Sequence, residues 1–198
     1  TYLKDKLTID LRILSLLRIF IGLILIWNIA ERFHFVEPFY TDNGIVPAFL
    51  AQEATTFPWM YSFYHLSSNS EVQIFWLALE LLSAFCLLLG FKTRVTVIIS
   101  WIFLCSAQTR NPLVLFGGDD VLRLVLFWLM FLPLDHFYSV EKKIFSKSTT
   151  TDSPYFYSVA NIGIILQVLL IYFFSGIFKI NSYWLQGDTL FYVFSGSH

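Results

Sequence analysis

The segment 159–181 reads VANIGIILQVLLIYFFSGIFKIN, and it decides the fold class. Up to Phe178 it is almost wholly apolar, and about twenty residues at a helical rise of about 1.5 Å span the hydrocarbon core of a bilayer. Lys179 then falls where the helix meets the far interface, inside a belt of Tyr172, Phe173, Phe174, Tyr183 and Trp184. Two readings fit that amine. It snorkels to the headgroups as an anchor, or, held in partly dry surroundings, it gives up its proton near neutral pH and serves as a base.

Four further apolar runs, 11–30, 72–89, 95–107 and 121–134, repeat the pattern. Charged residues make up 14% of the chain, against about 25% in soluble domains. The expected architecture is therefore an all-α integral membrane protein, a bundle of five transmembrane helices forming one domain over residues 1–198. The third and fourth runs are short, and need tilt or local thinning of the bilayer. Gly90-Phe91-Lys92-Thr93-Arg94 reads as a tight turn between the second and third. The stretch 31–71, with Pro38, Pro47 and Pro58, reads as an external region holding a re-entrant or interfacial piece. Residues 146–153, mostly Ser and Thr, read as a flexible loop. The first run lacks a small-residue cleavage site, so no cleavable signal peptide is read. The chain opens on Thr1 and stops at His198 without a closing element, which reads as a piece of something longer.

Net charge of −1 gives no reason to expect nucleic acid as a partner. Cys86 and Cys105 lie inside apolar runs and read as packing residues. His34, His65, His136 and His198 are scattered without metal-ligand spacing, so no metal site is read.

Loop charges set the orientation. With the N-terminus inside, Lys4, Lys6, Lys92, Arg94, Lys142, Lys143 and Lys147 are cytoplasmic, and only Arg32 and Arg110 are external. That positive-inside bias places the C-terminus, Lys179, Arg110, Asn111, Asp119 and Asp120 outside.

Arg18, Glu80 and Arg123 lie within spans, where a charge costs about 2.5–3.5 kcal/mol at the centre of an isolated helix. Counted from the cytoplasmic ends, Arg18 and Glu80 share a depth, and they are expected to form a structural ion pair. Arg123 follows Asp119 and Asp120 at four and three residues, so a local pair is available. Gly117-Gly118-Asp119-Asp120 offers a backbone turn and a capping carboxylate at a helix start. With Lys179 and Trp184 on the same side, a polar outer cleft is expected there.

The chain also carries a resemblance. Ser15-Leu16-Leu17-Arg18-Ile19-Phe20-Ile21-Gly22 resembles the first-helix signature of the vitamin K-dependent γ-glutamyl carboxylase superfamily, which shares the horizontally transferred transmembrane domain. Pro58-Trp59-Met60-Tyr61 is similar to the segment before its second helix, and Leu87 to Arg94 to its helix-turn-helix. Arg110-Asn111-Pro112 with Gly117-Gly118-Asp119 resembles the bacterial form of its external loop. Phe131-Leu132-Pro133 with His136 to Val140 looks like the end of its fourth helix. Tyr172 to Gly187 looks like the stretch that carries the catalytic lysine.

The resemblance implies a carboxylase-like enzyme, in the carbon–carbon lyase class, of a bacterial inner membrane. Its cofactor would be reduced vitamin K or another quinol. Lys179 would be the base that deprotonates the quinol, and Asn111 would hydrogen-bond quinone or intermediate. Arg110, Asp119 and Trp184 would line the substrate and cofactor site. The strong base formed with oxygen would remove a γ-proton from a glutamate of a peptide or protein, and the site must be shielded from water. Family carboxylases carry a histidine where this chain has Pro112. The alternative is a non-catalytic membrane subunit that matures or anchors a secreted peptide or protein complex, in contact with membrane lipids and a protein partner.

Overall fold

The computed structural model describes residues 7–54, 62–145 and 154–196. The 146–153 loop and Pro58-Trp59-Met60-Tyr61 lie outside the described residues. Ten helices are described. They are α1 (Leu11–His34), α2 (Val36–Tyr40), α3 (Ala48–Ala54), α4 (Ser70–Leu89), α5 (Thr93–Arg110), α6 (Gly117–Leu129), α7 (Val140–Phe145), α8 (Val159–Phe178), α9 (Ser182–Leu185) and α10 (Asp188–Ser195). Short 3-10 turns at Phe63–His65 and Pro112–Val114, and the strands β1 (Ile9–Asp10) and β2 (Tyr155–Phe156), complete the set.

Three of the long helices, α1, α4 and α8, start where a polar side chain takes an orphan amide. Asp10 accepts from Arg12 N at 2.7 Å, and Asn69 accepts from Glu71 N at 3.0 Å. Ser158 accepts from Asn161 N at 3.4 Å. The helix α4 stops at Gly90, whose φ of +74° lets Gly90 N and Phe91 N donate back to Leu87 O and Cys86 O. A Cβ at that position would land on the Arg18 guanidinium.

α1, α4, α5 and α6 pack in chain order as antiparallel neighbours, around Leu14, Leu25 and Ile29 of α1, Leu77 and Leu87 of α4, Leu104 of α5, and Leu126 of α6. Gly22 lets α1 and α4 cross closely, because a Cβ there would come within 3.0 Å of the Leu88 backbone. One end of the bundle, the base, is closed by a short layer. Here β1 pairs antiparallel with β2, Ile9 opposite Phe156, and Leu11 N donates to Pro154 O at 2.9 Å. Ser139 Oγ donates to Gly90 O at 2.6 Å, and Phe137 N donates to Ser15 Oγ at 3.1 Å. At the opposite end lie α2, α3 and the Phe63–His65 turn. These are short helical pieces within the stretch expected to be external.

Among the described residues three helices, α1, α4 and α8, are long and apolar enough to cross a membrane. The other two expected spans are helical but fall short of that measure. The helix α6 has 13 residues, about 20 Å of rise against about 30 Å of hydrocarbon. The 18 residues of α5 include Thr93, Arg94, Thr96, Ser100, Ser106, Gln108, Thr109 and Arg110. The first turns of α8 are anchored, with Asn161 Nδ2 donating to Phe156 O at 2.8 Å and Gly163 lying against the Trp128 ring. Beyond them its apolar surface is exposed.

A polar pocket at the end opposite the base

The last turns of α1 carry Asn28 and Arg32 one turn apart, on the buried side that Leu25 and Ile29 define. They face Asn111, which follows α5, and Asp119, in the first turn of α6. These residues line a pocket of about 200 Å³, together with Glu31, Phe35, Phe39, Tyr40 and Phe116. Asp119 is fixed by its local turn. Its Oδ2 accepts from Phe116 N at 3.1 Å, and its carbonyl accepts from Gln108 Nε2 at 3.0 Å. Glu31 accepts from Trp27 Nε1 at 3.0 Å.

Asn111 is 1% exposed. Its Nδ2 donates weakly to Phe39 O at 3.5 Å, which leaves Oδ1 without a partner. The Asn28 Oδ1 is likewise buried and unpartnered. Buried acceptors left unpaired cost about 1–3 kcal/mol each, and two of the residues that line the pocket carry one.

Behind the wall, Arg32 pairs with Glu80 at 3.5 Å, and the Tyr64 hydroxyl donates to Glu80 Oε2 at 2.8 Å. Glu80 is 1% exposed and Tyr64 is fully buried. Gln73 Nε2 donates to Tyr64 O at 2.9 Å, and the Tyr40 ring lies 5.4 Å from the Tyr64 ring. Burial pushes both phenols above their ordinary range, so each keeps its proton and remains a donor.

Of the residues expected at an outer cleft, the structure brings Asn111 and Asp119 together. Arg110 is fully buried but turns away, its Nη1 donating to Val46 O at 3.1 Å. Lys179 closes α8 and is exposed, its ammonium 5.0 Å from the Trp184 ring centroid; neither residue lines the pocket. Arg123 pairs with Asp120 at 2.5 Å, the three-residue option, while Asp119 caps the helix.

The expected Arg18–Glu80 pair does not form. Arg18 sits at the base, where its Nη2 donates to Tyr138 O at 2.8 Å, and Glu80 takes Arg32 instead. The reason is register. Gly22 lies against Leu88, so residue 18 is level with Gly90 and residue 80 with the last turns of α1. The helix α1 begins between two and three turns below the end of α4, and equal counts from the two ends do not mean equal depth. Arg32, Asn28, Tyr40 and Tyr64 were not expected in a site. Arg32 carried a signal, since it continues the three- and four-residue spacing of Leu11, Leu14, Arg18, Ile21, Leu25 and Asn28.

An apolar helical bundle with charges held inside one end is a multi-pass membrane protein with a polar pocket at its boundary. More closely, the model of the HTTM domain matches residues 7–197, and the chain belongs to that family, whose domain is associated with vitamin K-dependent carboxylase-like membrane proteins. No curated protein and no solved structure matches the chain.

Proposed function

We propose that this chain is a carboxylase-like membrane enzyme, of the carbon–carbon lyase class, acting on a peptide or protein at the extracytoplasmic side. The pocket would take the head of reduced vitamin K or another quinol. One observation carries the reading: Asn111, which matches the family's external-loop asparagine, has an unpaired buried acceptor on an aromatic-walled pocket. A quinol head is flat and carries hydroxyl donors. Those suit Asn111 Oδ1 and Asn28 Oδ1, with Phe35, Phe39 and Phe116 against the ring. When bound, the quinol would supply the reducing power that turns oxygen into a strong base. Asn111 would orient the hydroxyl, the rings would exclude water, and Arg32 would be held in place by Glu80 and Tyr64. Lys179 is exposed and outside the pocket lining, so to accept the hydroxyl proton its Nζ would have to be a neutral amine brought to the pocket by a movement of the end of α8.

Five spans with the N-terminus inside remain the proposed topology, in a bacterial inner membrane. Lys92, Lys142 and Lys143 share the base with Arg12 and Arg18, which supports a cytoplasmic base.

The test is quinol-dependent oxygen uptake in proteoliposomes. Lys179→Ala is expected to abolish it with folding intact, and Lys179→Arg is expected not to rescue it, because a guanidinium keeps its proton. A second reading, the non-catalytic subunit, is favoured by the bare apolar face of α8 and by Lys179 lying on Trp184. It predicts no quinol-dependent uptake, and a stable protein partner that is retained equally by Lys179→Ala and Lys179→Arg.

A further inference from the structure

Near the base, α5 and α6 leave a groove of about 510 Å³ between them, lined by Arg94, Ile98, Trp101, Ile102, Met130 and Phe131. Its origin is the unequal length of the two helices. Gln108 Nε2 bonds Asp119 O, and Trp101 Nε1 bonds Arg123 O at 3.1 Å, which fixes an antiparallel register. Arg94 is then level with Met130, just past the last residue of α6. Residues 94, 98, 101 and 102 share one face of α5, so the lower turns of that face look into the groove rather than onto a helix.

Everything on that face is apolar except its mouth. Arg94 is exposed, and among the described residues its guanidinium has neither an ion-pair nor a hydrogen-bond partner. The nearest carboxylate brought to the α4–α5 turn, Glu141, is taken by Lys92 N at 2.6 Å. The base as a whole carries Arg12, Arg18, Lys92, Arg94, Lys142 and Lys143 against Asp10, Asp135 and Glu141.

We propose that this groove holds one acyl chain of an anionic phospholipid, with the lipid phosphate on the Arg94 guanidinium. The apolar wall gains by covering a chain, and a guanidinium fork matches phosphate oxygens. A zwitterionic lipid offers the same phosphate, but its own cation meets the basic base. An anionic headgroup brings no such cation. At about 1 kcal/mol per basic side chain near the surface, Arg94 alone supplies roughly a five-fold preference.

Trp101 lies in the groove and reports its occupant. The full chain is reconstituted into phosphatidylcholine vesicles containing a minor fraction of either acyl-brominated phosphatidylglycerol or acyl-brominated phosphatidylcholine, and tryptophan quenching is read. Excess quenching by the phosphatidylglycerol is expected in the wild type and in Arg94→Lys. It is expected to disappear in Arg94→Gln and in Trp101→Phe, with melting curves confirming that each variant is folded. Equal quenching by the two lipids in the wild type would overturn the proposal. So would an excess that persists in folded Arg94→Gln, or one that persists in Trp101→Phe, since the lipid would then lie elsewhere.

Discussion

Replacing Glu80 with leucine removes the anion that neutralises Arg32 and the acceptor of the Tyr64 hydroxyl in one step. Tyr64 is fully buried and finds no water as a substitute, and Arg32, 12% exposed at its side chain, finds little. Stranding one partner of a buried pair costs about 3–5 kcal/mol. For a chain of this size each kcal/mol lowers the melting temperature by about 2–4 °C, so Glu80→Leu should melt roughly 6–20 °C below the wild type. Arg32→Leu should likewise cost about 3–5 kcal/mol, because it leaves the Glu80 carboxylate buried without its cation. The double variant removes both charges of the pair and strands neither. It should cost at least about 2 kcal/mol less than the sum of the singles. The assay is reversible unfolding of the four proteins in one detergent. Arg18→Leu with Glu80→Leu serves as the control, and those two should simply add, because Arg18 bonds Tyr138 at the other end of the bundle. Additivity of Arg32 and Glu80 within about 0.5 kcal/mol would refute the pair, and with it the account of how the pocket wall is held.

Two further outcomes are expected. Gly90→Ala forces an alanine to φ +74° with its Cβ on the Arg18 guanidinium, and should cost about 2 kcal/mol or more in the same unfolding assay. Burial, then the charge of Arg110, hold His65 below its ordinary value of 6.5. The unfolded chain therefore binds a proton that the folded chain refuses, so His65's contribution is intact above about pH 6.5 and declines as the pH falls below it. The melting temperature of His65→Gln should fall less than that of the wild type between neutral pH and pH 5, and parallel curves would contradict this.

The helices were legible because apolar runs and their breakers are local features. Asn69, Gly90, Asp119 and Ser158 mark starts and stops where the structure has them. Depth was not legible, since it depends on where each helix begins relative to its neighbour. The close crossing at Gly22 and Leu88 moved Arg18 away from Glu80 by about three turns. Half of the pocket was readable, because Asn111 and Asp119 are close in sequence and bracket a turn. Arg32 and Tyr64 meet Glu80 only through folding, and Arg32 read as a loop charge because it lies in the last turn of its helix. Lys179 could be placed at a helix end from the chain alone. Which groups surround it depends on packing, and it is Trp184, its own near neighbour, that the structure puts beside it.

The Asn111 pocket is proposed to recognise a quinol head through its unpaired acceptors. The most direct test is anaerobic titration of purified protein with a short-chain naphthoquinol, in the reduced and the oxidised form. Saturable binding is expected, tighter for the reduced form, because only that form carries the hydroxyl donors that Asn111 Oδ1 and Asn28 Oδ1 lack. Asn111→Leu should weaken it about tenfold, the equivalent of about 1.4 kcal/mol and in the range of one buried hydrogen bond. Absence of saturable binding to the wild type, or an Asn111→Leu protein that binds as the wild type does, would contradict the account.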